Sequence, residues 1–325
     1  MSSHDESLRP EEFAEAAAAA IADAQSHDFS TMASILAQAG LVGVCVPESD
    51  GGLNLSLAFA VPIAQQAGKL RLRFPLVEQL LVAKALAGTP EAAELVGGRR
   101  VVVIAWQGDW SRCLASHAAY ADRADWILVP DGERAVLVER SSVSLETEDV
   151  LDPDVPRYTV GLQSAVVKAR LTAEQYAVLR RDAYVLTAAF LNGAAQGALE
   201  FTAQYLATRV QFGRPLTAKQ AVRHTLARMK LLNEVSIAAV QRVLTSDEFG
   251  CERDAQVAWT GAVHNAIFAI ERAIHLNGGM GFTWEVPLHW SLRDAQRLNT
   301  ALKGSTALQI AGQTFIESAK EAAHA

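Results

Sequence analysis

Cysteine is scarce: three residues in 325, at Cys45, Cys113 and Cys251, far apart and in apolar or helical contexts. That usage argues against a disulfide framework and a zinc site and suits reduced, buried thiols. No run of 18 or more uncharged apolar residues is present, so no membrane insertion is expected. The N-terminus from Met1 to Pro10 is acidic and polar, which fits neither a secretory signal nor an arginine-rich transit peptide. A cytoplasmic location is expected. Positive charge is in deficit, with 29 Lys and Arg against 36 Asp and Glu and a net charge of −7. Such a chain is poorly suited to hold a polyanion over a broad face, so nucleic acid is not an expected partner. Half of the residues are apolar and a fifth are charged, which predicts a packed globular protein.

Three textures follow one another. From Glu11 to about Val96 apolar residues recur at helical spacing, as at Phe13, Ala17, Ile21 and Ala24, with a glycine-rich turn at Gly51-Gly52. The texture changes at Gly97-Gly98, and the β-branched run Arg100–Gln107 is the first strand candidate. Further strands are expected at Trp126–Pro130, Ala135–Val138, Tyr158–Val160 and Ser164–Val167, with Asp131-Gly132 as a hairpin turn. Beyond Thr172 the periodicity is again helical. One run, 183–207, puts Leu186, Phe190, Gly193, Gly197, Phe201 and Gln204 on a stripe. A second, 217–248, does so with Val222, Leu226, Met229, Asn233, Ser236, Val240 and Val243, and a third helix covers roughly 252–276. The expected organisation is a helical domain at 1–98, a small β domain at 99–172 and a helical bundle at 173–325.

Two motifs carry chemistry. Arg209-Val-Gln-Phe-Gly213, followed by Pro215 and Gln220, places a guanidinium near the end of a long helix, where its fork suits a phosphate on a neighbouring chain. The ordinary alternative is a surface arginine beside a helix-terminating glycine. The second motif, His275-Leu-Asn-Gly278-Gly279-Met-Gly281-Phe282, lets backbone approach another molecule closely. Its ordinary alternative is a glycine-rich loop between helices, with His275 bonded locally.

Taken together, Tyr205, the Arg209–Gly213 motif, Gln220, the Gly278–Thr283 turn, Glu285, Pro287 and Arg293-Asp-Ala295 resemble the C-terminal domain of the acyl-CoA dehydrogenase family. Ala39–Gly52 resembles its first helical domain. The resemblance implies a mainly helical α+β fold: an N-terminal helical domain, a small middle β domain and a C-terminal four-helix bundle. It also implies FAD as cofactor, with Arg209, Gln211, Phe212, Gln220, Gly278 and Gly279 reaching the cofactor across a subunit interface. His275 stands in that set where the family usually has glutamine. The implied reaction is α,β-dehydrogenation of an acyl-CoA thioester, in which a carboxylate removes the α-proton.

That carboxylate is missing. At the usual Glu-Gly-Thr turn this chain reads Lys303-Gly304-Ser305-Thr306, and at the alternative helical position it has Ala183. The neighbouring Asp182 is turned by roughly 100° and is expected to be a surface cap or solvated charge. The flavin-facing strand-loop near 104–112 lacks its family motif, and Trp126 reads as core. The pattern resembles the shorter chain of heteromeric α2β2 members, which supplies no catalytic residue. Its expected partners are a full-length acyl-CoA dehydrogenase subunit that binds most of the acyl-CoA, by analogy a bulky steroid-derived one, and an electron acceptor such as an electron-transfer flavoprotein. Two alternatives are a self-sufficient homo-oligomer with an unusual base and a flavin-free scaffold of the same fold.

Overall fold

The computed structural model describes residues 9–245 and 253–324. Cys251 and most of the acidic N-terminal segment lie outside the described residues. Helix accounts for 59% of the structure, in agreement with a mainly helical α+β fold. The chain forms two compact units, Met1–Ala194 and Ala195–Ala325.

The first unit opens with five helices: α1 (Glu12–Ala24), α2 (Phe29–Gln38), α3 (Leu57–Lys69), α4 (Leu76–Ala85) and α5 (Pro90–Val96). Local chemistry sets their starts. Asp28 caps α2 by accepting from the Ser30 and Thr31 amides at 3.0 and 3.1 Å. Thr89 caps α5, whose first residue is Pro90.

Seven strands follow: β1 (Val102–Asp109), β2 (Leu114–Ala119), β3 (Trp126–Asp131), β4 (Arg134–Glu139), β5 (Ser144–Thr147), β6 (Arg157–Gly161) and β7 (Val167–Leu171). They form one sheet in the order β5-β6-β2-β1-β3-β4-β7. The β1–β3 pair is parallel and the other neighbours are antiparallel. The Asp131-Gly132 turn forms as expected, pairing Asp131 with Arg134. The strand expected at 164–167 instead runs 167–171, and β2 and β5 are additional. Trp126 is buried in β3, as its core reading requires.

Helix α4 completes the sheet where β2 does not reach. Gln79 accepts from the Val102 amide at 3.0 Å, and Glu78 accepts from the Ile104 amide at 2.9 Å. Both side chains are buried, so these bonds satisfy groups that water cannot.

Helix α6 (Ala173–Thr208) starts at a reciprocal cap between Thr172 and Gln175. It lies so close to α3 that a methyl on Gly193 would stand 1.9 Å from the Gln65 carbonyl oxygen, and one on Gly68 1.9 Å from that of Phe190.

In the second unit, the end of α6 leads to the short strands β8 (Val210–Gln211) and β9 (Arg214–Pro215). Four helices complete it: α7 (Gln220–Val243), α8 (Ala255–Leu276), α9 (Leu288–Ala301) and α10 (Gly304–His324). The stripe expected on α7 is buried at Met229, Asn233, Ser236, Val240 and Val243. The stripe expected on α6 holds over its first part, where Leu186 and Gly193 are buried, and fails over its last: Phe201 and Gln204 are exposed, whereas Leu199, Thr202 and Leu206 are buried. Over this last part the interior takes the small polar Thr202 and leaves Phe201 outside. Helices α7 and α8 are antiparallel. Asn265 donates to Ser236 Oγ at 2.8 Å, and Phe268, farther along α8, meets Arg228, earlier on α7. No helix among the described residues is long and apolar enough to cross a membrane.

Candidate functional site

The arginine motif folds as a tight hairpin. Gln211 pairs with Arg214 around Phe212 and Gly213, whose φ angles are +55° and +77°. Positive φ at both central residues matches the twist of a two-residue hairpin, and only the second residue bears it without steric cost. The turn leaves the Phe212 ring 88% exposed, with Lys219 Nζ 4.9 Å from its centroid. The Arg209 guanidinium rests 5.6 Å from the Tyr205 ring centroid and has no acidic partner among the described residues. Gln211 Nε2 donates to the Val210 carbonyl at 2.9 Å, and Gln220 is exposed as the first residue of α7.

The glycine motif lies beyond the last turn of α8, where His275 is exposed. Asn277 is buried and anchors the turn, with Nδ2 donating to Thr202 Oγ1 at 2.9 Å and to the Ala273 carbonyl at 2.8 Å. Gly281 packs on the Ile274 carbonyl, where a Cβ would stand 2.2 Å away. A Cβ on Gly278 or Gly279 would meet nothing within 4 Å. Both are exposed, so packing within this chain does not call for a glycine at 279.

These residues share one end of the second unit. The Asn277–Thr202 bond puts the end of α8 beside the last turns of α6. The antiparallel course of α7 brings its first residues to the same place. Arg209, Gln211, Phe212, Gln220, His275, Gly278 and Gly279 therefore stand together at that end, although the seven make no hydrogen bond to one another among those seen. The charge is uneven too. The second unit holds 13 Lys and Arg against 11 Asp and Glu, a net +2 within a chain of −7. Thr283 holds the Glu285 carboxyl below its ordinary range, so this acid stays ionised at the site's edge.

The base positions look different. Lys303 is exposed at φ +57° in the turn before α10, and Gly304 behind it packs against Trp259. Ala183 is buried. Asp182 is not the solvated charge expected from sequence: it is 1% exposed and paired with Lys84 Nζ, with Arg181 Nη1 at 3.4 Å. Burial pushes the nearby Cys45 thiol up to about 11. The 104–112 segment continues β1 into a short turn, and the Trp106 indole donates to Glu78 at 3.1 Å.

Sequence reading missed the Lys84–Asp182 pair, whose members are 98 positions apart. It also missed Phe268, which carries the Arg228 and Arg272 guanidiniums at 4.8 and 5.4 Å from its centroid. The i, i+4 spacing of Phe268 and Arg272 was the available signal for the second of these contacts.

A family profile described as "Acyl-CoA dehydrogenase, C-terminal domain" matches residues 184–312. Acyl-CoA dehydrogenase IpdE2 of Mycobacterium tuberculosis is 29% identical over 286 residues, covering 83% of this chain and 81% of that protein. A solved structure titled "Tcur3481-Tcur3483 steroid ACAD G363A variant" superposes with a TM-score of 0.83 at 25% identity, covering 96% of this chain and 98% of the other. The ChsE4-ChsE5 complex from Mycobacterium tuberculosis shares the fold at a TM-score of 0.80 and 20% identity, with 98% of each chain covered.

Proposed function

Because the chain belongs to the acyl-CoA dehydrogenase family, we propose that it is the non-catalytic chain of a heteromeric member. In this reading it completes the FAD site of a full-length partner subunit in an α2β2 assembly. The observation that carries the reading is a division of residues. Exposed groups suited to a phosphate-bearing ligand are gathered at one end of the second unit, with no acidic partner for Arg209 among the described residues, while both base positions lack a usable carboxylate.

The residues present fit a contribution to FAD from across an interface. Arg209, stacked on Tyr205 and free of acidic partners among the described residues, offers its fork to a phosphate. Phe212 and Gln220 extend that contact, and Gln211 and His275 provide hydrogen-bonding groups beside it. Gly278 and Gly279 leave open space where a side chain would obstruct approach. Bound FAD would supply the oxidising power for α,β-dehydrogenation of an acyl-CoA thioester, with the partner providing the base and most of the substrate contacts. Of the structural neighbours, one is a steroid ACAD and another is the ChsE4-ChsE5 complex, which supports a heteromeric assembly and a bulky, steroid-derived substrate. An electron-transfer flavoprotein is the electron acceptor in this reading, and the cytoplasm its location.

A self-sufficient homo-oligomer would need an unusual base, for which Asp182 is the acid adjacent to the family's helical position. Its burial and its pairing with Lys84 count against that role. A flavin-free scaffold gives no use to Arg209 or to the open glycine turn. The test is Arg209→Ala in the purified mixed complex. Loss of a charge-assisted phosphate contact should weaken FAD binding by about 1.5–3 kcal/mol, roughly 10- to 150-fold in Kd. Unchanged FAD retention would remove the proposed role.

A further inference from the structure

Helix α7 carries two stripes at alternating spacings of three and four. The inner stripe is the buried set from Met229 to Val243. The outer one comprises His224, Arg228, Leu231, Val235, Ala238 and Arg242, all exposed. Leu231 is 62% and Val235 53% exposed, a waste of apolar surface for a helix facing only water. Heptad spacing is the pattern of a helix that packs on another helix. Gln220, four residues before His224, lies on the same side of α7, so the stripe is continuous with the proposed cofactor-facing end.

Its charge restricts what can cover it. Neither Arg228 nor Arg272 has an ion pair among the described residues, yet both guanidiniums are held on Phe268. The nearest acid along this part of α7, Glu234, already bonds Lys230. No acidic residue occurs in the stripe itself. Two copies meeting face to face through it would bring arginine toward arginine or histidine, with no carboxylate in either stripe to separate them. Arginine and aromatic groups beside exposed aliphatics are also the composition of protein interfaces.

We infer that the outer stripe of α7, with Arg228 and Arg272 on Phe268, is a docking surface for a helix of the full-length partner subunit that presents carboxylates flanked by apolar residues. The partner's identity rests on the heteromeric reading above; the stripe and its unmatched charge do not. Docking then depends on charge complementarity, so association weakens as salt rises.

The test uses the mixed complex made by co-expression with a full-length acyl-CoA dehydrogenase subunit. Amide hydrogen exchange over 224–242 should slow in the complex relative to this chain alone. The surface variants Arg228→Glu/Arg272→Glu and Leu231→Gln/Val235→Gln should each raise the Kd at least about tenfold, with thermal stability of the free chain unchanged. The charge-reversed pair should also flatten the salt dependence. A complex that forms without protection at 224–242 and with unchanged affinity in both variants overturns the docking surface and leaves the heteromeric reading standing. Failure to form a mixed complex overturns both. A homo-oligomer protected over 224–242 would show that a second copy covers the stripe and would overturn the proposal as well. The Arg209→Ala measurement reports separately on FAD retention.

Discussion

Replacing Lys84 by methionine separates the structural role of Asp182 from a catalytic one. Asp182 is 1% exposed and Lys84 32% exposed, so the two ends of the ion pair respond differently to loss of the other. Lys84→Met leaves a carboxylate in the interior with only Arg181 Nη1, 3.4 Å away and itself 41% exposed, to compensate it. Breaking a buried pair from one side costs about 3–5 kcal/mol, and the residual Arg181 contact places this case near 3. For a unit of this size that corresponds to a fall in Tm of roughly 6–12 °C. Asp182→Asn behaves otherwise, because the freed lysine can turn its ammonium to water and the amide keeps the volume. We expect a loss of about 1 kcal/mol, the net value of an ordinary hydrogen bond. The assay is paired: chemical denaturation of the variants, and dehydrogenation by the mixed complex carrying Asp182→Asn. Equal costs for the two variants would refute the one-sided burial argument. A fall of several orders of magnitude in dehydrogenation would make Asp182 the base.

Three further outcomes follow from the geometry. Gly193→Ala should destabilise the first unit by about 1–3 kcal/mol, because its methyl would stand 1.9 Å from a backbone oxygen of α3; a wild-type denaturation midpoint would contradict that contact. Cys45, its thiol pushed up to about 11, should resist alkylation at pH 8 and react faster only as pH approaches that value; rapid modification at Cys45 itself at pH 8, read by peptide mapping, would contradict the raised value. Burial pushes the Glu148 carboxyl up, but the His117 amide and the Arg157 guanidinium outweigh it and hold the group below its ordinary range. Its depressed value means that its contribution is present above the unfolded carboxyl range and is lost as pH falls toward the folded value. Denaturation midpoints of Glu148→Gln should therefore decline less steeply with acid than those of the wild type, and parallel curves would contradict the assignment.

Much of the fold could be read from pattern because local chemistry sets it. Asp131-Gly132 specifies a hairpin whatever surrounds it, and the buried stripe of α7 follows the helical period. Strand β2 escaped notice because Leu114-Ala-Ser-His-Ala-Ala119 has weak strand preference and its pairing shifts register between Ala115 and Ala118. Strand β5 is four residues long and lies at the sheet edge, so little apolar alternation could mark it. At the candidate site, the Arg209 and Gly278 motifs were visible in the sequence. Their gathering at one end was not, since it depends on Asn277 meeting Thr202 across 75 positions. Asp182 was misread for the same kind of reason: the burial and partner that define it come from a distant helix.

The bonds from Gln79 and Glu78 to β1 also shape how the chain folds. Two of the strand's amides take their acceptors from α4 rather than from a neighbouring strand. The sheet thus cannot reach its final bonding until α4 has docked, and α4 buries two polar side chains only when β1 receives them. Neither half gains from forming first, which ties helices and strands into one cooperative transition. A fragment limited to 99–172 would expose a strand edge open to intermolecular pairing and should aggregate rather than fold alone.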